Sequence, residues 1–173
     1  VSEIRQKFCN VNTCPISGDR IFFENAGGAL TLKSALETTT KFASIPDNQG
    51  RDNAASKALN DVIKNAKSDL SALFNTQSGE FFMGESGTEL LFRLIRNAVL
   101  ASPSGGSIVG TSLEHPASRS AAKKWSHEMK YTYLSVPHSV KTGTVDPKNY
   151  ASKISNTTRV VTIVHASPVT GMG

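Results

Sequence analysis

The architecture can be predicted from residues 107–136, SIVGTSLEHPASRSAAKKWSHEMKYTYLSV. Residues 107–111 are predicted to form a strand, residues 116–128 a helix, and residues 131–136 a second strand. Strands that alternate with helices of this length are typical of a mainly parallel sheet with helices on its faces. The stretch therefore predicts an α/β protein, a three-layer α/β/α sandwich.

The same alternation extends along the chain in both directions. Upstream, the predicted elements are helices at about residues 31–44 and 52–74, a buried strand at 80–83 and a helix at about 88–101. Downstream, a short helix at 147–154, capped by Asp146, leads into the most apolar strand, 159–164. Residues 1–20 are polar and are expected to form an N-terminal arm, so the α/β domain is predicted to span residues 21–173.

Two of these helices carry apolar residues at the three- and four-residue spacing of a buried face. In the helix at 52–74, which Asp52 or Asn53 can cap, the stripe consists of Ala55, Leu59, Val62, Ile63, Ala66, Leu70 and Leu73. In the helix at 88–101 it consists of Leu90, Leu91, Leu94, Ile95 and Ala98. Both faces are expected to pack against the rest of the domain.

Composition and charge exclude several functional classes. The chain of 173 residues is 38% hydrophobic and 19% charged, as in globular proteins that build a core without metals or disulfides. Its net charge of +5 is spread over separate predicted helices without interleaved aromatics, so no nucleic-acid partner is predicted. No apolar run approaches the ~20 residues of a membrane span, and no secretory signal is visible. We therefore expect no membrane partner and a cytoplasmic location.

Two cysteines, Cys9 and Cys14, lie close together near the N-terminus. They are too few for a structural zinc site without matched histidines and too few for a disulfide scaffold. We interpret both as ordinary thiols, and no metal site is predicted.

Ligands of parallel sheets bind beyond the carboxyl ends of the strands, and the first loop there is residues 84–89. Free amides at a helix start and the positive end of the helix dipole form an anion site, to which the Thr88 hydroxyl adds a donor. The lysine and spacing of a P-loop are missing. Gly87 and Thr88 are thus candidate anion ligands, and the simpler alternative is that this segment is only a turn and cap.

Two more loops follow predicted strands. In the loop at 113–117, the ring of His115 can stack on a heteroaromatic ligand and its nitrogens can move protons. The alternative is a surface or capping histidine. The loop at 165–171 carries small polar residues that can line the same cleft. We expect Thr88 and His115 to face one cleft, because both follow strands of one parallel sheet.

The order of these motifs resembles a known family. Asn25-Ala26-Gly27-Gly28 comes first, Gly50-Arg51 precedes a long helix, and Ser86-Gly87-Thr88-Glu89, Glu114-His115-Pro116-Ala117 and His165-Ala166-Ser167-Pro168-Val169-Thr170-Gly171 follow. Together they resemble the N-terminal half of cysteine desulfurase-like enzymes of the class V aminotransferase family, which belong to fold type I. The resemblance covers residues 20–173. No single motif is specific, and the resemblance rests on all five motifs in this order.

The resemblance implies a cofactor, pyridoxal 5'-phosphate, and a site for it. In this family, the loop matching Gly87 and Thr88 holds the cofactor phosphate. The histidine matching His115 stacks on the pyridine ring and assists proton transfers, which makes His115 the candidate catalytic residue. An amino acid is the implied substrate, and relatives are dimers, which implies a homodimer. The residues that match the substrate side of the family's site are Asn25, Ala26 and Gly27.

Two departures from the family pattern bear on activity. In many relatives the position of Pro168 is an asparagine that hydrogen-bonds the cofactor's phenolic oxygen, and Ser167 is the candidate replacement because proline has no side-chain donor. The family's aspartate at the pyridine nitrogen and its Schiff-base lysine match positions after Gly173, so this polypeptide by itself is expected to be inactive. Neither Cys9 nor Cys14 matches the desulfurase nucleophile, so desulfuration is not distinguished from other lyase chemistry, transamination or epimerisation.

The sequence therefore predicts the N-terminal part of a pyridoxal phosphate enzyme that acts on an amino acid, of the cysteine desulfurase, lyase or aminotransferase type. The alternative is a non-catalytic fragment, or one member of a split pair that completes its site with a partner chain. An unrelated α/β binding protein would require all five motifs to match by accident.

Overall fold

The structure, a computed structural model, describes residues 1–46, 50–168 and 170–172. It divides into two compact units, Val1–Phe81 and Phe82–Gly173. This division differs from the predicted boundary after residue 20, and that boundary stays a prediction.

The first unit is mainly helical. Its elements are helix α1 (Ser2–Arg5), strands β1 (Thr13–Cys14) and β2 (Gly18–Asp19), and helices α2 (Lys33–Ala43) and α3 (Ala54–Leu73). The two short strands pair antiparallel, so the predicted polar arm contains a small hairpin. Asn53 begins α3, because its side chain accepts a hydrogen bond from the Ser56 amide at 2.8 Å. One of the two predicted caps is thereby confirmed.

Within this unit the apolar stripe of α3 is only partly covered. Leu59, Ile63, Ala66 and Leu70 are half-buried, whereas Ala55, Val62 and Leu73 are exposed. The buried side chain of the helix is Ser56, whose hydroxyl accepts from the Arg51 amide at 3.1 Å in the preceding turn. The spacing of the apolar residues thus predicted the helix correctly and the burial of its face in part.

The second unit contains the parallel sheet. Its elements are α4 (Gly87–Leu100), β3 (Ser107–Thr111), α5 (Pro116–Glu128), β4 (Thr132–Val136), α6 (Pro147–Ala151) and β5 (Thr158–Val161). The strand order is β4-β3-β5, so β3 is central, and Ile108 pairs with Tyr133 on one side and Val160 on the other. All three strands are parallel, which confirms the predicted α/β class.

The two faces of this sheet are covered differently. Helices α4 and α5 pack on the face that carries Ile108, and the core there consists of Ile95, Val99, Ile108, Ala121, Ala122 and Tyr131. The opposite face, which includes Thr111 and Val161, borders a cavity of about 370 Å³ that Tyr150 of α6 also lines. Within the second unit, the third layer of the predicted sandwich is represented by one short helix, α6.

Two structural expectations are wrong. No strand forms at residues 80–83, where Phe82 is 82% and Met83 56% exposed. A strand needs a pairing partner, and the sheets of the described residues supply none to this segment. In α4, Leu94 is 66% exposed and Val99 is buried in its place. The buried face of α4 contains Ile95 and Val99. Leu94 lies about 100° around the helix from Ile95 and therefore outside this face.

Candidate functional site

The start of α4 leaves two backbone amides available to a ligand. Ser86 caps the helix, and its hydroxyl accepts from the Glu89 amide at 3.2 Å. The amides of Gly87 and Thr88, the first two helical residues, have no intrahelical partner because of their position. Both residues are exposed, and a side-chain carbon at Gly87 would meet no atom within 4 Å. The geometry is that of an accessible helix N-terminus, one residue earlier than the sequence predicts.

The first turn of α4 also carries a carboxylate. Glu89 occupies the first turn of α4, where a negative charge interacts favourably with the helix dipole. Its carboxylate forms an ion pair with Arg93 at 2.5 Å, one turn further on. The arginine offsets a charge that would otherwise oppose an anion at the helix start.

His115 begins α5 as its capping residue. Its ring Nδ1 accepts from the Ala117 amide at 3.1 Å, and Pro116 occupies the first helical position. Because Nδ1 is an acceptor, the proton of the neutral ring lies on Nε2. The side chain is exposed. The capping alternative raised by the sequence is therefore correct for Nδ1, and the ring face and the Nε2–H group are left for a ligand.

The two helix starts belong to the same layer of the second unit. Both α4 and α5 pack on the sheet face of Ile108, so Thr88 and His115 are not separated by the sheet. Their placement in a single cleft stays a prediction.

In the loop after β5, Ser167 is buried and its hydroxyl forms a hydrogen bond within the loop itself. Ser167 is 3% exposed, and its hydroxyl accepts from the Thr170 amide at 3.3 Å. Its own amide donates to the Met172 carbonyl at 2.8 Å. Val169 of this predicted loop lies outside the described residues. A cofactor contact through Ser167 stays a prediction. For that contact, the Ser167 hydroxyl would have to bond the cofactor while it also accepts from the Thr170 amide.

The candidate substrate residues lie in the first unit. Asn25, Ala26 and Gly27 form an exposed turn in which the amides of Gly27 and Gly28 donate to the Glu24 carbonyl at 3.0 and 3.1 Å. The predicted turn is confirmed. Its contact with substrate stays a prediction.

Three further groups of this chain were not singled out as functional by the sequence. Glu114, beside His115, is buried, with 6% of its surface exposed. Ser112 and His138 follow β3 and β4, and the Ser112 hydroxyl lies 2.7 Å from His138 Nδ1 and accepts from the His138 amide at 3.1 Å. These bonds tie the two loops together at the carboxyl edge of the sheet. Ser112 and His138 are separated in sequence by α5 and β4, and this separation matches no recognisable motif. Only the fold reveals that the two side chains are in contact.

The pKa of the Cys14 thiol lies below its ordinary value. Hydrogen bonds from the Ser17 side chain, then from the Ser17 and Ile16 amides, lower the pKa of the Cys14 thiol to about 7. The β1–β2 hairpin brings these donors to the sulfur, which the sequence spacing alone did not reveal. Among the described residues, no cluster of three or more metal-ligating side chains forms, and no helix is long and apolar enough to cross a membrane.

The residues of the second unit fit pyridoxal phosphate. Two unpaired amides at an open helix start suit a phosphate group, and the absence of a side chain at Gly87 lets it approach the backbone. An exposed imidazole with one fixed tautomer suits stacking on an aromatic ring. The chemistry of these groups therefore matches both ends of the cofactor.

The fold and these loops define an α/β protein that presents an open helix start and an exposed histidine at the loops of a parallel sheet. The pattern of the aminotransferase class-V family matches residues 21–173, and the chain belongs to that family. Family membership supports pyridoxal phosphate as the cofactor, in agreement with the motifs.

Relatives and solved structures agree with this membership. The chain is 30% identical over 163 residues to the cysteine desulfurase-like protein ustD of Aspergillus flavus, a match that covers 90% of this chain and 37% of that protein. The apo cysteine desulfurase of Thermococcus onnurineus NA1 superposes with a TM-score of 0.79 at 16% identity, over 96% of this chain and 40% of that one. A C-DES mutant with glycine covalently linked to its PLP cofactor superposes with a TM-score of 0.63 at 18% identity, over 91% of this chain and 39% of that one.

These likenesses confirm the predicted fold, that of the fold type I cysteine desulfurases. The chain spans 28% to 37% of the lengths of the curated relatives it matches.

Proposed function

We propose that this chain is the N-terminal part of a pyridoxal phosphate-dependent enzyme that acts on an amino acid, with cysteine desulfuration as its reaction. The observation that carries the proposal is the pairing of an open helix start at α4 with His115 at the start of α5, on one face of the sheet. The names of the curated relatives favour desulfuration over other lyase chemistry or transamination.

Each candidate residue has a task in this proposal. When bound, pyridoxal phosphate supplies an electron sink for bonds at the amino acid's α-carbon. The amides of Gly87 and Thr88, with the Thr88 hydroxyl, hold the phosphate. The His115 ring stacks on the pyridine, and its Nε2 gives and takes a proton at the substrate. The exposed turn of residues 25–28 contributes to the substrate side.

The second candidate, a fragment that requires another polypeptide, is favoured by the edge strand β5. Val161 is 39% exposed, and Ile163, just beyond the strand, is 70% exposed. Apolar side chains beside an edge strand with one free side are typical of a surface that further polypeptide covers. Accordingly, we propose that the active form contains the rest of a fold type I enzyme, in the same or a partner chain. A homodimer and a cytoplasmic location stay predictions.

Replacing Thr88 with alanine tests the phosphate site. We expect the affinity for pyridoxal phosphate to fall about tenfold, because the variant loses one hydrogen bond to a charged group. The free energy of unfolding should change by less than about 0.5 kcal/mol, since Thr88 is exposed. Equilibrium dialysis and urea unfolding measure the two quantities.

The matched control is Thr39→Ala, which removes an exposed threonine from α2 in the other unit. It should leave the affinity unchanged. Equal affinities for the Thr88→Ala and Thr39→Ala chains would mean that the start of α4 does not hold the phosphate.

A further inference from the structure

Glu114 is a buried carboxylate directly before His115. It is 6% exposed, and its Oε2 accepts from the Ser118 hydroxyl at 2.8 Å. Its Oε1 accepts a longer bond from the Thr111 hydroxyl, at 3.5 Å. Both partners are buried as well, and both are donors, which suits an ionised carboxylate because that group only accepts.

Within the described part of the chain, this carboxylate forms no ion pair. Among residues 1–46, 50–168 and 170–172, the ion pairs involve other acids, and none reaches Glu114. Burial of an unpaired charge costs free energy, and such a group is seldom kept for stability alone. Burial, and after it the charge of Glu114, raise the pKa of Tyr133 and raise the pKa of Tyr150 to about 12.

The hydrogen bonds of Glu114 connect both ends of the turn that carries His115. On the strand side, the Thr111 hydroxyl donates to Glu114 and accepts from the Leu113 amide at 3.2 Å. On the helix side, Ser118 lies one turn into α5. His115 lies between these anchors, and its Nδ1 bond to the Ala117 amide depends on where the turn holds its backbone.

We propose that Glu114 is a positioning residue, whose buried carboxylate fixes the β3–α5 turn so that His115 presents its ring face and Nε2 to the cofactor. The inference rests on the proposed function. It adds Glu114 as a residue that acts through His115 and does not itself contact the cofactor. It predicts that neutralising Glu114 disturbs His115 and leaves the phosphate site of α4 intact.

Glu114→Gln is the informative variant, because it keeps the size of the side chain and removes its charge. Its matched control is Glu128→Gln, which removes an exposed carboxylate at the last residue of α5. On the ligand-free chain, NMR measures hydrogen exchange at the Ala117 amide and the ring nitrogen shifts of His115. We expect Ala117 to exchange about tenfold faster and the His115 shifts to move in Glu114→Gln, and neither to change in Glu128→Gln.

The binding measurement compares pyridoxal phosphate with inorganic phosphate. In Glu114→Gln we expect the affinity for pyridoxal phosphate to fall about tenfold and that for inorganic phosphate to stay unchanged. A general loss of structure would weaken both equally, and that result would overturn the proposal. Unchanged Ala117 exchange and His115 shifts would overturn it as well.

These measurements separate the inference from the proposed function. If the unaltered chain binds no pyridoxal phosphate, the proposed function fails, while the ligand-free NMR still decides the role of Glu114. If Glu114→Gln does not fold, Ser118→Ala replaces it. This variant keeps the Glu114 carboxylate and removes the Ser118 hydroxyl that donates to it at 2.8 Å. Ser118→Ala is expected to accelerate Ala117 exchange about threefold, and no acceleration would refute the proposal.

Discussion

Replacing Ile108 with alanine is expected to lower the free energy of unfolding by about 2–5 kcal/mol. Ile108 has no exposed surface and lies in the central strand β3, between Tyr133 and Val160. Its side chain packs in the core that α4 and α5 close over the sheet. Truncation removes apolar contacts and leaves a cavity that three neighbouring elements cannot fill by a small shift.

Urea unfolding followed by circular dichroism measures this loss. The matched control is Ile163→Ala, the same substitution at a residue that is 70% exposed, for which we expect less than about 1 kcal/mol. Similar losses at both positions would contradict the placement of the core on the α4–α5 face of the sheet.

Borohydride reduction of a mixture of the 173-residue chain and pyridoxal phosphate is expected to label no single lysine stoichiometrically. All twelve lysines of the sequence are exposed. Stable capture of the cofactor requires an amine that is held against the ring with a lowered pKa, which burial provides. The lysines that follow His115 most closely, Lys123 and Lys124, begin about 12 Å further along the axis of α5.

Peptide mapping of the reduced adduct gives the distribution of the label. Weak labelling spread over several lysines is the expected pattern. Complete modification of one lysine would show that these residues contain their own cofactor anchor, and the expectation that this polypeptide is inactive by itself would then be wrong.

Local sequence signals predicted the helices and strands of the second unit well. Pro116 after His115 marked the start of α5, and Asp146 before Pro147 marked the start of α6, where its carboxylate accepts from the Lys148 amide at 2.9 Å. Such caps act within a few residues, so the sequence carries them directly. The parallel sheet followed from the alternation of strands and helices.

Features that depend on distant partners were missed. The apolar segment at residues 80–83 has the composition of a strand, but strand formation depends on a neighbour that local sequence does not specify. The exposure of Leu94 depends on which part of the apolar face of α4 meets the sheet.

In the candidate site, the sequence identified the backbone-based features and missed the buried charge. The start of α4 and the position of His115 could be inferred from motif order and helix physics. Glu114 could not, because a charged residue in a loop is usually exposed. The spacing of Glu114 and Ser118, four residues apart across a helix start, is the one sequence signal that agrees with their hydrogen bond.

In the proposed function, the start of α4 and His115 bind one molecule of pyridoxal phosphate together. NMR titration of the isotope-labelled chain tests it most directly, by following the Gly87 and Thr88 amides and the His115 ring in the same samples. We expect all three sets of signals to shift with a single dissociation constant, and we expect inorganic phosphate to shift the two amides without the ring. Shifts of the amides and the ring with different dissociation constants, or shifts confined to other residues, would contradict it.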